Sequence, residues 1–281
     1  QLLDKASLPL CSQDRIGLCT QELWLSYEDK GNNEEDTDEA DKYFVVTAKI
    51  KQSSINKGSS GCLIRMPVGA RVGDLRRTVN SFPEKAQVLA ELPGMSSIVL
   101  SDDKVLPSIV TLTDFKPMLN YYARFSPREN RIAMKMKIKY WQKPENQKRI
   151  GEIHEASKGN LARVSAATVG MEVSELWPMV WRRFDMPAMN HPYQAITQCM
   201  TGIEQNLESA RLWVLSEMCT FDWKRIQLAL QTFVAEMKRQ GKKPTLAPGS
   251  PIVDQWLKSL PDAAKSEEWF QGCAAELELT V

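Results

Sequence analysis

Only two histidines, His154 and His191, occur in 281 residues. That scarcity weighs against His-rich metal centres and most His-based general acid–base arrangements. The six cysteines (Cys11, Cys19, Cys62, Cys199, Cys219, Cys273) form no C-x-x-C pair and no regular framework, which fits free thiols in a reducing compartment. No apolar run approaches the ~18 residues of a membrane-spanning helix. The opening Gln1-Leu2-Leu3-Asp4 has no basic n-region leading into an apolar h-region, so no secretory leader is expected in it.

The main catalytic signatures are missing as well. Neither G-x-x-x-x-G-K-[ST] nor G-x-G-x-x-G occurs, and Gly69-Ala70-Arg71-Val72-Gly73-Asp74 lacks the spacing of a phosphate-cradling loop. There is no H-E-x-x-H, since His154-Glu155 stands alone, and no G-x-S-x-G elbow. Cys199 or Cys219 with His191 is a formal nucleophile–base pair, but a buried structural cysteine is far commoner. Asp102-Asp103 reads as a turn. The chain is therefore read as non-enzymatic, with no catalytic residue, no metal and no cofactor.

What is present is an uneven charge map. A hydrophobic fraction of 43% and a charged fraction of 25% are ordinary globular values, and the whole net charge is +1. Yet residues 116–149 hold ten Lys and Arg against two acids, a local +8. The cations are Lys116, Arg124, Arg128, Arg131, Lys135, Lys137, Lys139, Lys143, Lys148 and Arg149, and the aromatics Tyr121, Tyr122, Phe125, Tyr140 and Trp141 interleave with them. Cations alternating with rings suit a nucleic-acid backbone and its bases. Residues 28–41 carry eight acids against Lys30, a local −7. They read either as a solvated loop or as a segment that competes with RNA for the basic face or contacts a neighbouring subunit.

Periodicity predicts an α+β chain, with a strand-containing N-terminal half followed by a helical C-terminal bundle. Residues 1–42 read as an N-terminal arm and acidic loop, 43–145 as a mixed, basic lobe and 146–281 as a helical lobe. Tyr43–Ile50 alternates as a strand, Lys57–Gly61 is a turn, and Cys62–Val68 returns as a partner strand. Val72–Phe82 reads as a short helix, and Ser97–Leu100 and Ile109–Leu112 as short strands. Arg131–Trp141 reads as a strand in which Met134, Met136, Ile138 and Tyr140 alternate with Lys135, Lys137 and Lys139. Period two would set those lysines about 6.6 Å apart on one face. Residues 142–147, with Pro144, mark the expected boundary.

Beyond it, Asn160 or Gly159 caps a helix reaching about Leu176, and Pro178 permits a kink or a new start. Apolar stripes at three-to-four spacing follow from Ile203 to Phe221, from Ile226 to Met237 and over Ile252–Leu260. Trp177, Trp181, Trp213, Trp223, Trp256 and Trp269 are expected in the core or at a subunit interface.

Leu161-Ala162-Arg163-Val164-Ser165-Ala166-Ala167-Thr168-Val169-Gly170, followed by Met189-Asn190-His191-Pro192-Tyr193, resembles phlebovirus-type nucleocapsid proteins. Their pattern is L-x-R-V-A-A-A followed by M-x-H-P-x-F. The likeness covers about a third of the chain; Tyr193 replaces the family's Phe, and the strand-rich first half departs from its all-helical lobe. It implies an RNA-sheathing subunit that polymerises through an exchanged arm, here Gln1–Leu10, with Arg163 as an RNA contact.

The expected function is thus a viral nucleocapsid or coat subunit in the host cytoplasm and the virion. Its expected partners are single-stranded RNA and further copies of itself. Arg124, Arg128, Arg131, Lys135, Lys137, Lys139, Lys143 and Arg163 would meet phosphates, and Tyr121, Tyr122 and Tyr140 would stack on bases. The alternative is a matrix or scaffold protein whose basic face meets an anionic membrane or an acidic partner. Changing Lys135, Lys137 and Lys139 together to Glu is expected to weaken RNA binding, whereas leucine at the three tyrosines would spare membrane attachment.

Overall fold

The structure, a computed structural model, describes residues 43–51, 61–79, 82–91, 97–186, 191–246, 250–260 and 265–279. The expected arm, the acidic segment, most of the turn at 57–61 and Met189-Asn190 lie outside them. The strands are β1 (Tyr43–Lys51), β2 (Gly61–Pro67), β3 (Val88–Ala90), β4 (Ile98–Val99), β5 (Ile109–Thr113) and β6 (Tyr121–Tyr122). The helices are α1 (Val72–Thr78), α2 (Pro127–Trp141), α3 (Pro144–Ser157), α4 (Leu161–Met171), α5 (Trp177–Arg183), α6 (Pro192–Cys199), α7 (Leu207–Met218), α8 (Trp223–Arg239), α9 (Pro251–Ser259) and α10 (Glu268–Leu277). The fold is α+β. Its described residues divide into two compact units: a sheet unit within 43–125 and 186–201, and a helical unit within 126–185 and 202–279.

In the sheet unit the strand order is β4-β3-β5-β1-β2-β6. β1 and β2 are antiparallel, with Val46 opposite Ile64, and β5 returns parallel to β1, with Ala48 opposite Val110. A parallel return needs a crossover, and the stretch containing α1 supplies it. Alternation decides which way each strand faces: Val46, Ala48 and Ile50 are buried while Thr47, Lys49 and Lys51 are exposed. Cys62, Ile64 and Met66 of β2, with Val88, Val110 and Leu112, close the same core under Val72 and Leu75 of α1. Each such fully buried aliphatic side chain contributes about 1.5–3 kcal/mol.

One contact on the sheet's other side ties the ends of this unit together. The Arg65 guanidinium carbon lies 3.7 Å from the Tyr43 ring centre and 5.8 Å from that of Phe125. Its Nη1 donates to the Arg124 carbonyl at 3.3 Å. The rings' negative faces offset part of the cost of holding this guanidinium almost wholly buried.

The expected strand over Arg131–Trp141 is instead the body of α2. Ser126-Pro127-Arg128-Glu129 forms a reciprocal cap: Ser126 Oγ accepts from the Glu129 N–H at 3.2 Å, and Glu129 Oε2 accepts from the Ser126 N–H at 2.9 Å. Pro127, preset in φ and lacking an N–H, suits the first helical position. The Met and Lys that mimicked period two are good helix formers. The buried positions Asn130, Ala133, Met134, Lys137, Ile138 and Trp141 recur every three to four residues. The change of character therefore falls at Ser126, and residues 142–147 hold the two-residue link Gln142-Lys143 and the first turn of α3.

Downstream, the Asn160 side chain caps α4 by accepting from the Ala162 and Arg163 N–H groups. α4 runs into one π-helical turn, Glu172–Leu176, where the Trp177 N–H reaches back to the Glu172 carbonyl. Pro178 has no N–H to continue the ladder, and α5 starts there. Of the expected tryptophans, Trp177, Trp181 and Trp256 are buried, whereas Trp213, Trp223 and Trp269 are half-buried. Trp223 lies 6.1 Å from Trp256 and 5.6 Å from Trp269 between ring centres, joining α8, α9 and α10. The terminal helix α10 was not anticipated, although Phe270, Cys273, Ala274 and Leu277 mark its buried stripe. Removing the α2 cap by Ser126→Ala is expected to lower stability by about 1 kcal/mol in urea denaturation followed by circular dichroism.

Candidate nucleic-acid interface

The anticipated site residues separate into three environments. Tyr121, Tyr122 and Tyr140 are buried, so none offers a ring face for stacking on a base. In the sheet unit, the Tyr122 hydroxyl accepts from the Met118 and Leu119 N–H groups at 2.8 and 3.1 Å. In the helical unit, the Tyr140 hydroxyl donates to Glu175 Oε2 at 2.8 Å; burial foremost, then Glu175, pushes its pKa up. These rings hold packing positions because β6 and α2 turn them inward.

Lys137 is the second correction. It is buried between two carboxylates, with Nζ 2.6 Å from Glu217 and 3.0 Å from Glu172. It cannot sit in a solvent row with Lys135 and Lys139, and Glu at position 137 would place three carboxylates together. Arg225 completes the cluster, 2.9 Å from Glu172 and 2.8 Å from Glu217. The Trp141 indole N–H donates to Glu172 at 3.0 Å and that of Trp213 to Glu217 at 3.1 Å. Two acids and two bases thus neutralise one another where α2, the π turn, α7 and α8 meet. No sequence motif announces this group, whose members lie up to 88 residues apart.

Further cations of the basic segment are also engaged. Arg149 forms a bidentate pair with Glu175 at 2.7 and 2.9 Å. Lys148 stands 3.9 Å from Glu152. In the sheet unit, Arg124 is exposed and its Nε donates to the Thr201 carbonyl at 3.2 Å.

The third group is a row on α2. Arg128, Arg131, Lys135 and Lys139 follow one another at spacings of three, four and four, which places them on one side of a 3.6-residue helix. Lys139 is exposed and the other three are partly so. At ~1.5 Å per residue the row is about 16 Å long, with one cation per turn at about 5 Å. That pitch resembles the one anticipated for a strand, although the lysine between Lys135 and Lys139 points inward. Lys143, exposed, lies in the link after α2, and Arg163 is exposed on the first turn of α4. The signal that would have placed these residues was the cap at Ser126 and Glu129.

Among the described residues, no group of three or more His, Cys, Asp and Glu stands ready to hold a metal ion. No helix of the described residues is long and apolar enough to cross a membrane. No family model, curated protein or solved structure matches the chain.

The buried cluster gives stability a defined pH dependence. Burial alone would push the Glu172 carboxyl up, but Arg225 and Lys137 outweigh it and hold it well below the usual carboxylate range. Its contribution is therefore full above the unfolded value of ~4.3 and is lost as pH falls through the depressed native one. Glu172→Gln is expected to remove about 3–5 kcal/mol at pH 7. In urea titrations the gap between the two proteins should narrow steadily below about pH 4.

Proposed function

We propose that the chain is a non-enzymatic RNA-binding structural subunit, a nucleocapsid or coat protein of a virus, that assembles with copies of itself. The cation row of α2 is the observation that carries this reading. One cation per helical turn matches the repeat of a phosphate backbone without demanding any base, which is what a subunit covering RNA of arbitrary sequence needs. Lys143 and Arg163 add exposed charge in the same unit. The likeness of 161–170 and 189–193 to phlebovirus-type nucleocapsid proteins points the same way, as does the absence of catalytic motifs. Host cytoplasm and virion are the locations this role implies.

Burial of Tyr121, Tyr122 and Tyr140 favours contact by charge over contact by stacking, which lends weight to one second reading. A viral matrix or scaffold protein would lay the same row on an anionic membrane or an acidic partner. Replacing the tyrosines no longer separates the two, because leucine at those positions would perturb packing. Direct competition does: RNA should displace the protein from phosphatidylserine vesicles if RNA is the tighter ligand.

The sharper test leaves Lys137 untouched. Changing Arg128, Arg131, Lys135 and Lys139 to Gln should make the plot of log affinity for single-stranded RNA against log salt shallower by about 0.7 per cation removed. Fluorescence anisotropy across a salt series measures it. An unchanged slope would remove α2 from the RNA site.

A further inference from the structure

Within the helical unit, α7 and α8 are joined by Cys219-Thr220-Phe221-Asp222, all of them buried and Thr220 and Asp222 wholly so. Phe221 stands at φ 53°, in the left-handed region that favours glycine. A bulky residue persists there only where its surroundings hold it. Helix α3 supplies the hold. Gln147 Nε2 donates to the Cys219 carbonyl at 3.2 Å, and His154 Nε2, two turns further along α3, lies 3.4 Å from the Thr220 carbonyl.

Asp222 is the third part of this junction. Its Oδ1 caps α8, accepting from the Lys224 and Arg225 N–H groups at 3.2 and 3.5 Å. Its Oδ2 is buried without a hydrogen-bond partner, a costly state for a carboxylate oxygen. The charge of Asp222 acts on the His154 ring. Of the other charged groups on the elements packed here, Glu152, Glu155 and Lys158 at the end of α3, Arg163 of α4 and Lys224 of α8 are exposed. Glu172, Glu217, Lys137 and Arg225 are engaged with one another.

The neutral ring meets the Thr220 carbonyl through its Nε2–H tautomer. A proton arriving at Nδ1 brings a full charge into a half-buried place. The imidazolium then has two ways to be satisfied. It leaves the carbonyl for water, which frees the turn from α3, or it draws Asp222 from the N–H groups of α8, which uncaps that helix beside Arg225. Both loosen the same junction. We propose that this contact is an acid-sensitive latch: neutral His154 holds the α7–α8 turn against α3, and protonation of the ring releases it. The latch is independent of what α2 binds.

Burial lowers the pKa of the ring and outweighs the Thr220 carbonyl and the Asp222 carboxylate, which raise it. The folded protein therefore takes up this proton less readily than the unfolded chain. The stability that the latch contributes is full above the unfolded value of ~6.5 and is lost as pH falls from there to the depressed native one. That window lies above the one in which Glu172 titrates.

The full chain allows three readings. Its two histidines give two sets of imidazole signals in proton NMR, and the set lost in His191→Asn leaves that of His154. The His154 midpoint should lie below ~6.5, and lower still in Asp222→Asn, which keeps a capping side chain without the charge. Amide exchange, corrected for its intrinsic pH dependence, should quicken severalfold in α3 and the first turn of α8 as pH drops from about 7.5 to about 5.5, and not in the sheet unit. The gap in urea midpoint between the parent and His154→Gln should shrink over the same range, whereas a side chain that only fills space gives a gap indifferent to pH.

A His154 midpoint at or above ~6.5 overturns the latch. So does exchange in α3 that follows the intrinsic rate alone, or a urea gap that stays constant with pH. The first two readings come from the parent protein, so they decide the matter even where His154→Gln fails to fold.

Discussion

Four charges in the interior of the helical unit set the terms for everything around them. Glu172 and Glu217 have lost their water, and each has done so because Lys137 and Arg225 come to both of them. Such a group does not lower the free energy much against a greasy core of equal volume, since desolvation consumes most of the attraction. It is intolerant, however, of any arrangement in which one member is missing. The π turn that delivers Glu172, the two indoles that donate to the acids and the inward turn of Lys137 all satisfy that demand. α2 is therefore fixed about its own axis, because Lys137 can reach both acids from one rotation only. The outer row of cations takes its orientation from this interior constraint.

The charge of a segment and the charge it shows to solvent are consequently different quantities. Residues 116–149 carry +8 as text, yet Lys137 is consumed inside, Arg149 is held by Glu175 and Lys148 has Glu152 beside it. The tyrosines of the segment are buried as well, so its rings are as little on show as Lys137.

The sheet unit was largely legible because its strands obey a local rule. Phe44, Val46, Ala48 and Ile50 against Val45, Thr47 and Lys49 can serve only a sheet with one buried face, and Cys62, Ile64 and Met66 repeat the pattern. Helices α4, α7, α8 and α9 were legible from their apolar stripes for the same reason. α2 was misread because Met and Lys alternate over a stretch where period two and period 3.6 fit nearly equally well. There the decision lay outside the stretch, in Ser126, Pro127 and Glu129, whose mutual hydrogen bonds start a helix. Once period two was adopted, Lys137 fell on the wrong side. The interior ion group was beyond reach altogether, since pairing Lys137 with Glu217 and Glu172 with Arg225 is a property of packing and leaves no trace in local spacing.

The way the chain threads its two units has a bearing on its synthesis. Phe125 donates its N–H to the Cys199 carbonyl at 2.9 Å, and α6 belongs with the strands although it follows α2–α5 in the chain. A ribosome therefore delivers the six described strands, then some sixty residues of helix, and only afterwards the last described piece of the sheet unit. The parallel pairing of β1 with β5 already brings together residues about sixty positions apart, a slow kind of contact to form. Until α6 arrives, the Phe125 N–H lacks its acceptor and the end of β6 its cover. Folding on the ribosome thus has a built-in order, in which neither unit is finished before the other has begun.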